Sequence, residues 1–214
     1  MALGVLLLLP TDSYSLDVSR LEAPAEKKIL VLGDSLSAAY KLASEEGWVH
    51  LMQQRLNTEN IAAKVVNASV SGATTAAGLQ LLPAALEEHQ PDYVILELGA
   101  NDGLQGKPVP YIRKNLERLI LQSQRANAQV ILVGIQLPPN FGQRYTVPFF
   151  AIYAELAKAH DLALVHFLLD GVAGKPELMM SDGLHPNALA QPKVLENVWG
   201  AVIKLLSETS RGDT

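Results

Sequence analysis

The chain has 214 residues, 49% of them hydrophobic, a formal net charge of -5 and no cysteine. Its length and apolar content suit one domain able to bury a core without staples or metals. Net acidity, with no basic run or aromatic–basic interleaving, argues against a nucleic-acid partner, and the lack of cysteine removes disulfides, thiolate nucleophiles and thiolate-held metals.

At the N-terminus, Ala2 to Leu9 is strongly apolar, but no Lys or Arg precedes it and it is far too short to span a bilayer. Ala23-Pro24-Ala25 has the small-x-small look of a signal-peptidase site. Between them, Asp12, Asp17, Arg20 and Glu22 fit a signal peptide poorly. Residues 1–25 are therefore read as a leader or extension and residues 26–214 as the domain.

The apolar run Ile29-Leu30-Val31-Leu32 enters Gly33-Asp34-Ser35, as a buried strand does when it hands its last residues to a loop. Ser44 to Asn57 has helical spacing, with Ser44 as an N-cap. A second strand over Ile61 to Val66 leads into Ser71-Gly72, and a helical stretch follows to His89, in which Pro83 marks a start or a bend. Tyr93 to Leu98 reads as a central strand ending in the loop Gly99-Ala100-Asn101-Asp102-Gly103. A helix from about Pro110 to Ala126, a strand from Val130 to Ile135, a helix from Pro148 to His160 and a strand from Leu162 to Phe167 come next. A long loop carries Asp182-Gly183-Leu184-His185-Pro186, and an amphipathic helix from about Leu189 to Ser207 closes the domain, with Pro192 in its first turn or at a kink.

Strands alternating with helices predict parallel pairing with right-handed crossovers. The expected fold is a three-layer α/β/α sandwich, flavodoxin-like, around a five-stranded parallel sheet. In such a sheet the strand ends share one edge, so Ser35, Gly72, Asn101, Asp182 and His185 converge on one crevice.

Those residue types are what acyl transfer by serine requires. Ser35 can be the nucleophile and His185 the base, with Asp182 fixing the histidine tautomer. The backbone N–H groups of Ser35 and Gly72 and the side-chain amide of Asn101 can face an oxyanion. Each cluster also has an ordinary reading: Gly-Asp-Ser as loop composition, Asn101 in a turn, Gly72 as close packing, Asp182 with His185 as a structural pair or two metal ligands. His50, His89 and His160 read as solvated and His166 as a structural strand residue. A non-catalytic flavodoxin-like binding module and a metal-dependent hydrolase are the rival classes. The chain contains no Gly-x-Gly-x-x-Gly, Gly-x-x-x-x-Gly-Lys or His-Glu-x-x-His.

Four blocks, Gly33-Asp34-Ser35-Leu36, Ser71-Gly72, Gly99-Ala100-Asn101-Asp102 and Asp182-Gly183-Leu184-His185-Pro186, resemble in order those of the SGNH (GDSL) hydrolase superfamily. The resemblance spans about Lys28 to Leu206. Val66 to Gly72 and Gly134 to Asn140 resemble its bacterial thioesterase, lysophospholipase and arylesterase branch. It implies an esterase or thioesterase with Ser35, Asp182 and His185 as triad and Ser35, Gly72 and Asn101 as oxyanion hole. No cofactor and no metal are expected; the resemblance implies a small-molecule ester or thioester substrate and, with a leader, a periplasmic or secreted location, the cytoplasmic alternative staying open. Other superfamily members remove acetyl groups from carbohydrates, and that alternative stays open. Apolar residues Leu104, Val109, Leu137, Pro138 and Phe141 are candidates for a substrate pocket or for core closure. One departure stands out: the third block usually reads Gly-Gly-Asn-Asp, and Ala100 replaces its second glycine. If that position needs positive φ, alanine strains the loop beside Asn101.

Overall fold

The computed structural model describes residue 1 and residues 26–212; the expected leader lies outside the described residues. Five strands form one parallel sheet in the order β2-β1-β3-β4-β5: β1 (Lys27–Gly33), β2 (Ala63–Asn67), β3 (Tyr93–Glu97), β4 (Gln129–Val133) and β5 (Ala163–Val165). Ile29 to Leu32 and Val94 to Leu96 are buried at 1% exposure or less, as central strands covered on both faces must be.

Helices α1 (Trp48–Thr58) and α6 (Gln191–Gly212) pack on each other on one side. Helices α2 (Thr75–His89), α4 (Val109–Arg125) and α5 (Gln143–Ala159) form the opposite layer. The three-layer expectation is met. The order places the topological switch between β1 and β3, where the crossovers depart in opposite directions and leave a crevice beyond the strand ends.

Several boundaries differ from the sequence expectation for local reasons. Ser44 does not cap α1. It opens a 3₁₀ turn, Ser44–Glu46, where the Glu46 carboxylate reaches back to the Ala43 N–H at 2.9 Å, and α1 begins after Gly47. Pro83 and Pro148 both lie inside helices, and α5 starts five residues before Pro148. Pro192 is in the first turn of α6, where its missing N–H costs nothing. The loop expected after Gly99 contains a short helix, α3 (Ala100–Leu104).

Gly134 shows how closely β4 and β5 approach at the site edge. Its N–H donates to Val165 O at 2.8 Å and its carbonyl accepts from the Leu168 N–H at 3.0 Å. A Cβ there would stand 2.0 Å from the backbone oxygen of His166, which no rotamer change can relieve. Gly134→Ala is expected to lower stability by about 1–3 kcal/mol, the cost of overpacking, read as a denaturation midpoint shift; an unchanged midpoint would contradict this packing.

Candidate active site

After Gly33 the chain turns sharply: the N–H groups of Ser37 and Ala38 both donate to Asp34 O, at 3.2 and 2.9 Å. The loop is tied to α1 by the buried Trp48, whose indole N–H donates to Leu36 O at 3.1 Å. Two of its residues are left-handed without being glycine, Ala39 at φ 54° and Lys41 at φ 55°. Such residues cost about 1–2 kcal/mol each and persist only where the surroundings impose them.

The loop delivers Ser35 to His185. Ser35 Oγ lies 2.8 Å from His185 Nε2, although 150 positions separate them, and His185 Nδ1 lies 2.8 Å from Asp182 Oδ2. These contacts suit the tautomer in which Nδ1–H donates to Asp182 and the serine hydroxyl donates to Nε2. Asp182 is held by its own turn, its Oδ1 accepting from the N–H groups of Leu184 at 2.9 Å and His185 at 3.0 Å. Gly183 makes that turn at φ 67°. Desolvation pushes the Asp182 carboxyl up, but the N–H groups of His185 and Leu184 and the imidazole outweigh it, bringing its pKa down to about 2. It is an anion at neutral pH.

Asn101 stands in the first turn of α3, and the Ser35 and Gly72 N–H groups have no acceptor among the described residues. Gly72 holds φ 82°, with open space where a Cβ would point. Both protons of the Asn101 amide are engaged, one on Asp34 Oδ2 at 3.0 Å and one on Ala73 O at 3.1 Å. The strain conditionally expected at Ala100 is absent. The positive φ of this block, 123°, belongs to Gly99, where a Cβ would meet the Tyr153 hydroxyl at 2.4 Å, whereas Ala100 is simply the first residue of a helix, a position alanine favours.

Beneath Ser35 lies a group of buried acids that the sequence reading did not single out. Glu97, fully buried, accepts at Oε2 from the Asp34 N–H (3.1 Å) and the Ser37 hydroxyl (2.8 Å), while Oε1 has no partner among the described residues. Burial, then the neighbouring Asp34 charge, pushes Glu97 well above the ordinary carboxylate range. Asp34 is pushed up to about 6 by burial, against the lowering effects of the Leu36 N–H, His185 and Asn101. Asp102, also buried, takes the N–H and hydroxyl of Thr75, both at 2.7 Å, and so pins α3 to the start of α2. A charged group amid the apolar text of β3 was the available signal for Glu97.

A cavity of about 220 Å³ opens beside Ser35, Asn101 and His185. Leu104, Leu137 and Pro138 line it, as do Leu36, Ile135, Phe167, Leu169 and Leu184. Val109 and Phe141 are not among its lining residues. Val109 instead begins α4 and packs on the core, and Phe141 sits in the 3₁₀ turn Pro139–Phe141. Phe167 and Leu169, just beyond β5, take the places assigned to them. Among the described residues no three histidine or carboxylate side chains converge to hold a metal ion.

A doubly wound sheet that brings a serine, a histidine and an aspartate into one hydrogen-bonded chain beyond its strand ends has the arrangement expected of a serine hydrolase of the α/β/α type, and the comparisons narrow it. Residues 31–191 match the model of the GDSL-like Lipase/Acylhydrolase family, and the chain belongs to that family. It is 47% identical to the esterase TesA of Pseudomonas aeruginosa over 182 residues, 85% of this chain and 90% of that one. It is 44% identical to an arylesterase of Vibrio mimicus, over 85% of this chain and 91% of the other. With Thioesterase 1/protease 1/lysophospholipase L1 of Escherichia coli K12 it shares 42% identity, over 81% and 82% of the two chains. A crystal structure of TesA, 47% identical, superposes with a TM-score of 0.81 over 84% of this chain and 99% of that one. The chain is a carboxylic ester hydrolase.

The raised Asp34 carboxyl has a consequence for stability. A buried acid whose pKa rises on folding binds more protons folded than unfolded, so stability falls as pH rises from the ordinary aspartate value, 3.8, to about 6. The denaturation midpoint is expected to decline across that interval, and Asp34→Asn is expected to shallow the slope. An equal slope in parent and variant would show that Asp34 is not the titrating group.

Proposed function

We propose that the protein hydrolyses carboxylic esters and thioesters through an acyl-enzyme on Ser35. The observation that carries the reading is the continuous relay from Ser35 Oγ through His185 to Asp182, opening beside an apolar cavity. Ser35 Oγ attacks the carbonyl carbon while His185 Nε2 takes the hydroxyl proton, and the imidazolium is stabilised by Asp182. The carbonyl π pair moves to oxygen, and the free N–H groups of Ser35 and Gly72 meet the charge. Asn101 contributes by sharing an amide proton with the oxyanion, because both protons already have acceptors. As the tetrahedral adduct collapses, His185 returns its proton to the departing alcohol or thiol. Water, deprotonated by the same nitrogen, then releases the acid and restores Ser35.

The cavity indicates which part of a substrate is enclosed. About 220 Å³ falls below the roughly 300–1,000 Å³ that surrounds a whole drug-sized ligand. It therefore takes one arm, an acyl chain or an aryl group, against Leu104, Leu137, Pro138, Phe167 and Leu169, and leaves the other arm in solvent. Aryl esters, acyl thioesters and lysophospholipids, the substrates that the relatives' names indicate, all offer such an arm on a reactive carbonyl.

Ser35→Ala should lower hydrolysis of p-nitrophenyl esters by at least about 10³-fold and abolish labelling by a serine-directed phosphonate. Turnover within about tenfold of the parent would sink the role given to Ser35. Across the parent's own ester series, kcat/KM should rise with acyl length until the cavity is filled and then level off. A sharp preference for an acetylated sugar would replace the apolar-arm reading with a deacetylase one.

A further inference from the structure

The nucleophile loop takes an expensive path, and what it delivers besides Ser35 is a tyrosine. Tyr40 lies between the two left-handed residues Ala39 and Lys41, and no glycine relieves the strain at either position. Its N–H donates to Ser35 O at 3.4 Å, which ties it to the nucleophile's own backbone. Its half-buried ring lies against the imidazole of His185, ring centroids 4.5 Å apart and planes tilted by 39°. Lys41 places its ammonium 5.0 Å from the centroid of the same ring. Gly47 permits this path: a Cβ there would stand 2.8 Å from that of Ala39.

From this geometry we infer that Tyr40 is a positioning residue for His185, a role that rests on the reading of Ser35 and His185 given above. Hydrogen bonds to Nδ1 and Nε2 hold the imidazole at two points on its rim, and such bonds, which favour the ring plane, restrain a swing about the line between them poorly. The tyrosine ring blocks one direction of that swing. Its π electrons also attract the imidazolium, which forms only after Ser35 has given up its proton. Both effects act on the way to the transition state, and neither requires contact with substrate. Their loss should therefore appear in kcat and leave KM in place. The phenol hydroxyl has no part in it, so a bare phenyl ring should suffice.

The test uses Tyr40→Phe and Tyr40→Leu in the full chain, with rates divided by the concentration of phosphonate-titratable sites so that misfolded protein is not counted. Tyr40→Phe should stay within about twofold of the parent. Tyr40→Leu should lose roughly 10- to 100-fold in kcat, the scale of a small misplacement of a catalytic group, with KM unchanged. The downfield N–H resonance of the imidazole bonded to Asp182 should persist in Tyr40→Phe and broaden in Tyr40→Leu. If Tyr40→Leu yields no titratable protein, Tyr40→Met carries the same expectation. A leucine or methionine variant with parental kcat overturns the inference. So does a phenylalanine variant that falls as far as leucine, or a loss confined to KM, which would make Tyr40 a substrate contact. A parent that takes up no phosphonate would overturn the reading of Ser35 itself, and is distinguishable because it precedes any comparison among the variants.

Discussion

The site depends on the register between β1 and β3. Parallel pairing sets Gly33 opposite Glu97, so the last residue of one strand meets the last residue of the other. There is no room between them for a side chain on residue 33, since a Cβ would lie 2.6 Å from the Glu97 carboxylate. With glycine in place, Glu97 reaches under the turn and accepts from the Asp34 N–H and the Ser37 hydroxyl, fixing both sides of Ser35. The next contact outward, Asp34 to Asn101, joins the β1 loop to the β3 loop. A slip of one position would reverse the faces of Leu30 to Leu32 and separate these two loops.

The acids at this edge occupy opposite electrostatic regimes. Asp182 is exposed and surrounded by donors, so it stays ionised and can balance a positive imidazole. Asp34 and Glu97 are buried with few donors, and both are driven toward the neutral form. In the proposed mechanism the difference separates function from support, because an anion is useful where a cation is to form and costly where none does. Burial beneath the loop lets Asp34 and Glu97 act as hydrogen-bonding struts for Ser35 and Asn101.

The engaged amide of Asn101 belongs to the same economy of donors. In the proposed reaction, two of the oxyanion donors, the N–H groups of Ser35 and Gly72, have no acceptor to give up among the described residues, whereas the Asn101 amide must partly give up two. Preorganised dipoles stabilise a transition state most when nothing has to move. On that criterion the backbone donors would form the rigid part of the proposed hole and Asn101 the adjustable one.

Much of this was legible in the chain itself. The strand-and-helix alternation, the parallel sheet and the grouping of Ser35, Gly72, Asn101, Asp182 and His185 at its edge follow from apolar periodicity and from polar residues placed just past strand ends, because period and strand polarity are local properties. Tertiary structure alone decided the rest. Pro83 and Pro148 lie within helices because packing overrides local propensity. Gly99, not the position of Ala100, carries the positive φ, because the hydroxyl of Tyr153 on α5 fills the space a side chain would need. Val109 and Phe141 yield the cavity wall to Phe167 and Leu169 because which apolar side chains face a crevice depends on how α4 and β5 approach it. Glu97 on the Asp34 N–H, Asp34 on Asn101 and Tyr40 on His185 are contacts across 63, 67 and 145 positions (185 minus 40). No spacing in the sequence encodes them; they exist only once the sheet has set its register.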